Sequence, residues 1–432
     1  MAVYDYIIVG AGLSGLYSAY KLLKENPDLE ILILERNRDV GGRIDTQDGL
    51  EAGAGRFHEN QPLVMGLIRE LGLTQHMVPI ETYEHFITNK QFHTMEPINK
   101  IIDYVITKSK KTDKKTLKDT IFLDYVRQVL SDDDATFLLD FYGYSSELTN
   151  MNTYDTINLM KNHLNHKTQF YNLQGGLSQI VRELTKRIDA KIMVHRRVND
   201  ILYNNETNQF EITCDEINKR YKAKKCICAV TKETLLKLTI FKPIYKVLSL
   251  IETLPLCRIY AKFPPTKSHP TWFKGMPTVT TNNNLRIMIP IDEESGTIMM
   301  SYTDNKYARF WKRLLDKDGI EAVNREHQRL IKKTTGLDVP IPQYTKVYYW
   351  EHGVVYFKPG FDSETMLKQI RHPIPNMPLY VCGENFSEFN NQWMEGALDT
   401  YPGNSRNYTL EDLHHLQIYT FPHSKRPSMG AF

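Results

Sequence analysis

Residues 4–15 read YDYIIVGAGLSG, and Glu35 stands twenty positions after the last glycine of this stretch. Residues 6–9 predict a buried strand, and the G-x-G-x-x-G pattern that follows predicts a tight turn into a helix that ends before Pro27. Residues 30–34, EILIL, predict a second strand with the acidic residue at its end. Strand, glycine turn, helix and second strand together indicate a dinucleotide-binding unit.

The three glycines of the turn have separate structural tasks. Gly10 permits the tight turn, Gly12 lets the backbone approach a pyrophosphate, and Gly15 lets the helix lie against the sheet. The free N–H groups of the helix N-terminus, near Ser14, face the phosphates. Glu35 is placed to accept hydrogen bonds from a ribose hydroxyl, which argues against NADP and leaves NAD and FAD open.

A second glycine pair favours one of these two cofactors. Gly41 and Gly42 allow another close backbone approach, and Arg43 can form charge-assisted hydrogen bonds to phosphate. A diphosphate held by both a helix N-terminus and an arginine suits a permanently bound FAD. The alternative is a plain Gly-Gly turn with a solvated arginine. We include Arg36, which follows the acidic residue, in the same site.

The segment ERNRDVGGRIDT (35–46) resembles the Glu-…-Gly-Gly-Arg segment of the flavin-containing amine oxidase superfamily. This superfamily includes monoamine oxidases, polyamine oxidases, L-amino-acid oxidases and histone demethylases. Three later stretches resemble it in the same order: GLEAGAGRF at 49–57, QGGLSQIVREL at 174–184 and PLYVCGENFSEFNNQWMEGAL at 378–398. The resemblance implies an α/β fold, with a Rossmann-like FAD-binding domain and an inserted α+β substrate domain.

The predicted FAD-binding domain is discontinuous and consists of residues 1–82, 172–250 and 374–400. The predicted substrate domain consists of two insertions, residues 83–171 and 251–373, with substrate bound between the domains. Hydrophobic spacing predicts helices at 120–130 and 134–141 in the first insertion. The second insertion predicts several strands and a helix from Lys306 to about Lys333. Residues 401–432 form a tail that is predicted to dock on the protein itself or on a protein partner.

The resemblance also implies contacts between the C-terminal segment and the flavin. Glu384 would hydrogen-bond the ribityl chain, and its alternative is a surface carboxylate at a strand end. The helix from Met394 would direct its N-terminal amides at the flavin, where they stabilise the negative charge of the reduced ring. Val198 would contact the adenine end through its backbone. The other implied cofactor-binding residues are Gly55, Arg56, Gly383 and Ala397.

Four residues are implied on the substrate side of the flavin. Trp393 would form one wall of an aromatic cage, although it also fits a core position. The second wall would come from Trp350, Tyr356 or Phe357, of which we choose Tyr356. Arg56 occupies the place of an arginine that binds the substrate carboxylate in L-amino-acid oxidases, and it could instead bind flavin phosphate or a neighbouring acid. Arg258 replaces a family lysine that is bonded through water to flavin N5. Arginine cannot lose its proton, so oxygen reactivity is left open.

The activity implied is oxidation of an amine or L-amino acid. The deprotonated amine would give hydride to flavin N5, the imine would hydrolyse, and O2 would reoxidise the flavin to give H2O2. FAD would be non-covalent, since WEHGVVYFKPG (350–360) lacks the cysteine to which monoamine oxidases attach it. Two alternatives stay open: a desaturase or porphyrinogen-type oxidase, and a protein that keeps the flavin fold as a scaffold with lost or altered catalysis.

Charge and composition limit which partners and which cellular compartment are expected for this chain. The net charge of +3 argues against nucleic acid as a partner, and no run approaches the roughly 20 apolar residues of a membrane span. No signal peptide is visible, and the five cysteines fit reduced buried thiols, so a cytoplasmic, reducing compartment is expected. Cys226 and Cys228 share one face of a strand and lack a second pair, so no metal site is predicted. The bias towards Asn, Lys, Ile and Tyr suggests an AT-rich, viral source.

Overall fold

The computed structural model describes residues 2–80, 84–163, 168–215, 219–265 and 271–403. Within these ranges the strands are β1 Val3–Val9, β2 Ile31–Leu34, β3 Thr46–Gln47, β4 Leu50–Glu51, β5 Phe57–His58, β6 Met77–Ile80, β7 Glu84–Thr88, β8 Gln91–Thr94, β9 Phe170–Leu173, β10 Lys191–Met193, β11 Val198–Asn204, β12 Gln209–Cys214, β13 Lys219–Cys228, β14 Ile251–Lys262, β15 Thr278–Thr280, β16 Ile287–Asp292, β17 Thr297–Asp304, β18 Tyr344–Phe357 and β19 Leu379–Val381.

The α-helices of the same ranges are α1 Leu13–Glu25, α2 Pro62–Glu70, α3 Glu96–Ser109, α4 Lys114–Asp119, α5 Phe122–Val129, α6 Asp132–Phe141, α7 Ser145–Asn150, α8 Thr153–His163, α9 Ser178–Thr185, α10 Lys232–Leu235, α11 Tyr245–Leu248, α12 Asn305–Thr335, α13 Ser363–Arg371 and α14 Met394–Asp399. Short 3-10 turns occupy Thr74–His76, Thr239–Ile244 and Glu384–Phe386. No helix of the described ranges has the length and apolar character needed to cross a membrane.

The first seven-stranded sheet has the order β10-β2-β1-β13-β12-β11, and β19 lies beside β13. Its central strand β1 is parallel to both neighbours, β2 and β13. Successive residues of β1 face opposite sides, because Ile8 joins the core under α1, α2, α9 and α14, whereas Ile7 and Val9 join the core under α10, α11 and α13. Burial on both faces is typical of a parallel sheet covered by helices. The prediction of a Rossmann-like α/β unit is confirmed.

The register of the first sheet brings the two ends of the glycine motif together. Val9 is paired with Leu34, so the turn at Gly10 and the carboxylate of Glu35 lie at the same edge of the sheet. The following helix α1 begins at Leu13, and the glycine before it serves as its N-cap. The helix ends at Glu25, two residues before the proline that was expected to stop it.

The second seven-stranded sheet has the order β18-β14-β17-β16-β15-β7-β8. Helix α12 packs on it through Ala308 and Trp311, which are both fully buried. This helix is interrupted at Gly319, whose φ of 79° lies in the left-handed region that favours glycine. The predicted single helix is therefore two helical segments joined at a glycine. The division of the chain into two domains stays a prediction, and predictions for residues 404–432 lie outside the described ranges.

Arg286 fixes the end of helix α6 and the segment that follows it. The guanidinium is fully buried and donates to the carbonyls of Leu139 (3.3 Å), Asp140 (2.9 Å) and Gly143 (3.3 Å). Leu139 and Asp140 lie in the last turn of α6, where C=O groups lack a helical N–H partner, and Gly143 follows the helix. A single arginine thus ties strand β16 to the segment between α6 and α7.

We expect Arg286→Met to lower the free energy of unfolding by about 3 kcal/mol, because each buried acceptor left without a donor costs ~1–3 kcal/mol. Chemical denaturation measures this loss. Arg325→Met is the matched control, since Arg325 is exposed on α12 and its replacement should change stability by no more than ~0.5 kcal/mol. Equal unfolding midpoints for the two variants would show that Arg286 does not stabilise the end of α6.

Candidate functional site

A cavity of about 1150 Å³ is lined by residues of both seven-stranded sheets. One end contains the glycine turn, the carboxyl ends of β1 and β2, and the start of β11. The other end contains strands β14, β16, β17 and β18 and the segment between α6 and α7. Among the residues predicted from the sequence as a site, all but Gly15 line this cavity.

The glycine turn contains three glycines with different surroundings. A Cβ at Gly10 would lie 2.4 Å from the carbonyl oxygen of Ala229, and a Cβ at Gly15 would lie 2.0 Å from the carbonyl oxygen of Gly10. Both are therefore required by the packing of the protein itself. By contrast, a Cβ at Gly12 meets only Gly42 Cα, at 3.9 Å, and the backbone there has an ordinary φ of −75°. Open space beside a helix N-terminus is the cradle that a diphosphate requires.

Arg43 and Glu384 meet across the cavity although 341 positions separate them. Arg43 Nη1 donates to Glu384 Oε1, which also accepts from the side chain of Asn385 at 2.6 Å. The other oxygen of Glu384 accepts from the backbone N–H of Gln392 at 2.7 Å. The arginine was predicted to bind phosphate and the carboxylate to bind the ribityl chain. The structure pairs them at the cavity wall, and their contacts with phosphate and the ribityl chain stay predictions.

Glu35 is held by the backbone at the opposite end of this cradle. The carboxylate is 6% exposed, and its oxygens accept from the N–H groups of Ala11 and Asn37, each at 2.8 Å. Each carboxylate oxygen has a second lone pair, so acceptor capacity remains for a ribose hydroxyl. Arg36 is exposed at the mouth of the cavity, and Val198 is buried in its wall.

The C-terminal segment reaches the cavity through helix α14. The helix begins at Met394 with Trp393 as its N-cap, and Ala397 and Gly383 also line the cavity. Glu395 points elsewhere, because its two oxygens accept from the backbone N–H groups of residues 63 (2.9 Å) and 64 (2.8 Å) and thereby cap α2. Burial raises the pKa of the Glu395 carboxyl to about 8, although both amides act against this shift.

Two guanidinium groups face the inner end of the cavity. Arg258 is 6% exposed, donates to the carbonyl of Glu51 at 3.0 Å and lies over the ring of Tyr302 at 4.7 Å. Its Nε has no hydrogen-bond partner among the described residues. Arg56 lies over the ring of Phe170 at 4.2 Å. In the part of the chain that the structure describes, neither guanidinium forms an ion pair with a carboxylate.

Gly55 makes room for one of these arginines. A Cβ at this position would lie 2.9 Å from Arg258 Nη1 and 3.0 Å from Nη2. The glycine therefore contacts the guanidinium directly, which the sequence motif had not indicated. Glu51, whose carbonyl anchors the same arginine, has its carboxylate buried on the hydroxyl of Thr46 and the N–H of Leu177.

Trp393 lies between the cavity and a buried pair of histidines. Its ring stacks on His163 at 5.2 Å and meets His58 edge-on at 5.0 Å. The two imidazoles are joined at 2.8 Å. Burial lowers the pKa of His58 to about 2 and that of His163 to about 4, so both rings are neutral at physiological pH. Tyr356 is 1% exposed, and Trp393 packs against the hydrophobic cluster that contains it.

Several polar residues of the cavity were missed in the sequence. Tyr142 and Tyr144 lie in the turn between α6 and α7, Glu147 lies in the first turn of α7, and Asp304 ends strand β17. Burial raises the pKa of the Glu147 carboxyl to about 8 and also raises the pKa of Asp304. An acidic residue beside two tyrosines in a glycine-containing turn was the available signal, but the sequence does not show which face of the turn lines the cavity.

The described residues contain no group of three or more side chains that could hold a metal ion. Cys226 and Cys228 are fully buried and lie in the same hydrophobic cluster as Ile7 and Val9. No cysteine is among the described residues that line the cavity.

This chain is similar to one protein family and to several curated proteins. A model of the family "Flavin containing amine oxidoreductase" matches residues 13–400. An L-amino acid oxidase of Cerastes cerastes is 30% identical over 161 residues, which are 35% of this chain and 28% of that protein. The flavin-containing amine oxidase A of Bos taurus is 32% identical over 96 residues, 21% of this chain and 18% of that protein. Protoporphyrinogen oxidase 2 of Arabidopsis thaliana is 35% identical over 99 residues, which are 22% of this chain and 19% of that protein. These matches span less than a third of each relative's length.

Comparison with solved structures identifies the same fold. A double mutant of putrescine oxidase, made to redesign cofactor binding, matches with a TM-score of 0.75 and 16% identity over 92% of this chain and 97% of that chain. A protoporphyrinogen oxidase assigned from sequence in Exiguobacterium matches with a TM-score of 0.71 and 16% identity over 93% and 97%. The matching family is flavin-containing, and the open cradle at Gly12 leaves room for the diphosphate of a flavin cofactor. The prediction of FAD as cofactor is confirmed.

Proposed function

The chain belongs to the family of flavin-containing amine oxidoreductases, and we propose that it oxidises an amine that also carries a carboxylate, such as an L-amino acid. Small-molecule amines or amino acids and O2 are the proposed reactants. The FAD supplies the hydride acceptor when it is bound. The protein's own side chains have to bind the substrate, orient its amine carbon and exclude water.

The observation that supports this proposal is the pair of arginines, Arg56 and Arg258. A buried charge without a partner is strongly unfavourable, so an anion is expected to bind where two guanidinium groups share one cavity. Arginine matches a carboxylate with two parallel hydrogen bonds. The half-buried Arg56 is held over Phe170 at 4.2 Å and contacts the hydroxyl of Tyr144 at 3.5 Å, and both contacts limit how its guanidinium can turn.

The side chains beside the arginines suit the rest of an amino acid. We propose that Trp393 and Tyr356 bound the apolar part of the substrate, because both line the cavity and belong to one hydrophobic cluster. The neutral histidines behind the tryptophan hold its ring without adding charge to the site. These uncharged side chains lie in the same cavity as two arginines. The proposed site therefore selects its substrate mainly through the substrate's carboxylate.

Anaerobic mixing of the FAD-loaded protein with a panel of amines and L-amino acids tests the proposal. We expect amino acids to bleach the flavin absorption band and simple amines without a carboxylate to do so much more slowly. Bleaching by simple amines with equal rates would remove the proposed role of the carboxylate. If FAD is bound and no panel member bleaches it, the scaffold alternative is favoured.

A porphyrinogen oxidase is the second candidate, and the same two arginines favour it. A porphyrinogen carries several carboxylates, and two guanidinium groups that lack carboxylate partners within the described ranges would bind two of them. Relatives and structural neighbours of this chain include proteins named as porphyrinogen oxidases. A porphyrinogen therefore belongs in the anaerobic panel, where bleaching by it alone would replace the amino-acid proposal.

A further inference from the structure

Glu147 places a carboxylate in the cavity at the first turn of α7. The side chain lines the cavity and is 4% exposed. Its Oε2 accepts from the hydroxyl of Tyr142 at 2.6 Å, and within the described ranges this is the carboxylate's one hydrogen bond. A buried carboxylate normally has several donors, so Glu147 keeps acceptor capacity for a ligand in the cavity.

Titratable and charged groups face Glu147 from each side: Tyr142 and Tyr144 from its own segment, Asp304 from the end of β17, Tyr356 from β18 and Arg56 from the segment before β5. Burial is the largest influence and raises the pKa of Glu147 to about 8. Tyr142 and Arg56 act to lower this pKa, whereas Asp304 acts to raise it. The carboxyl is therefore poised to gain or lose a proton near neutral pH.

We propose that Glu147 accepts the proton of the substrate's ammonium group before oxidation. The N–H bond breaks, an O–H bond forms on Glu147, and the electron pair stays on nitrogen, so the substrate changes from R–NH3⁺ to R–NH2 with no change of oxidation state. The proton then passes from Glu147 to water at the cavity mouth. This inference rests on the proposed function, because it requires an amine substrate.

The geometry around Arg56 supports this assignment. An α-amino acid carries its carboxylate and its ammonium group on one carbon, so a carboxylate bound to Arg56 leaves the ammonium group close by. Tyr144 contacts Arg56 at 3.5 Å, and its ring lies 6.4 Å from that of Tyr142, which donates to Glu147. The carboxylate site and the proton acceptor are thus joined through two adjacent tyrosines.

The neighbouring Asp304 fits the role less well. Its oxygens already accept from the N–H of Ser146 at 3.1 Å, the hydroxyl of Ser145 at 3.3 Å and the hydroxyl of Tyr356 at 3.5 Å. These bonds join α7 to the start of α12, so the carboxylate has a structural task. Glu147 has its acceptor capacity free and lies in the same cavity.

The pH profile of kcat/KM for Glu147→Gln tests the proposal, since kcat/KM reports the ionisation of the free enzyme. Wild-type kcat/KM should rise as the pH rises through about 8, where Glu147 ionises. In the variant this rise of kcat/KM, the limb near pH 8, should be absent. Its kcat/KM should lie roughly 100-fold or more below that of wild type at neutral pH. Its activity should recover towards pH values near the amine pKa, about 10, where the substrate is itself neutral.

Two further variants keep the test decisive. Tyr142→Phe removes the donor that acts to lower the pKa of Glu147, so its limb should move to higher pH. Asp155→Asn is the matched control, because Asp155 is a buried carboxyl outside the cavity whose pKa burial raises to about 7, and its loss should leave the limb in place.

The results that would contradict the role of Glu147 differ from those that would contradict the proposed oxidase function. A limb near pH 8 that persists in Glu147→Gln, or a loss of equal size at every pH, removes the proposal while leaving the oxidase function intact. If Glu147→Gln does not fold, an unmoved limb in Tyr142→Phe has the same meaning. A protein whose FAD is bleached by no amine removes the proposed function, and the role of Glu147 with it.

Discussion

Gly12→Asp should abolish FAD binding and leave the apoprotein folded. Gly12 is the N-cap of α1, with an extended backbone that any residue can adopt, and aspartate is among the preferred N-cap residues. The new carboxylate would occupy the open space beside Gly42 and repel a diphosphate there. We expect the dissociation constant of FAD to rise at least ~100-fold, which is ~2.7 kcal/mol, with an unchanged or higher apoprotein Tm.

Titration of the apoprotein with FAD, together with a thermal melt, measures both effects. Gly12→Asn separates volume from charge, because asparagine also caps the helix and should weaken FAD binding less. Gly66→Asp is the matched control, since a Cβ at Gly66 also meets no atom within 4 Å and the position lies outside the cavity. Normal FAD affinity in Gly12→Asp would mean that the diphosphate does not lie at α1.

Arg56→Met should change which substrates the enzyme accepts. Loss of a buried, hydrogen-bonded charge partner costs about 2–4 kcal/mol, so kcat/KM for an amino acid should fall roughly 30- to 700-fold. The same variant should oxidise an amine without a carboxylate as fast as wild type does, or faster. Arg56→Lys should recover only part of the loss, because an ammonium group cannot form two parallel hydrogen bonds with a carboxylate.

The measurement is kcat/KM for matched substrates that differ only in the carboxylate. Arg69→Met is the control, since Arg69 is exposed on α2 and lies outside the cavity. An equal loss for both substrates would assign Arg56 to the cofactor or to the fold, which is the alternative that the sequence left open. An unchanged amino-acid rate would exclude its proposed contact with substrate.

The cofactor end of the site was predictable because its requirements are local. Each feature there depends on a few neighbouring residues: a strand, a turn with φ of 102° at Gly10, and a helix that begins two residues after Ala11. Backbone conformation and hydrogen bonding fix these parts within a short stretch, so the spacing of Gly12 and Glu35 already carries the information.

The substrate end was not predictable in the same way, since its parts come from distant segments. Gly55, in the segment between β4 and β5, makes room for Arg258 of β14, a strand that lies far away in the sequence. Glu147 gave only a weak signal, an acidic residue near two tyrosines, because a glutamate at the start of a short helix is usually solvated.

The sequence by itself determined the glycine turn and its two flanking strands, because these depend on residue spacing along one segment, and four ordered motifs indicated the flavin family. Only the tertiary structure decided what faces the substrate. Burial and pairing arise when separate elements pack together, and they leave two arginines without carboxylate partners in the described chain and place Glu147 in the same cavity. The charges and pKa values that would drive the chemistry are properties of that packing.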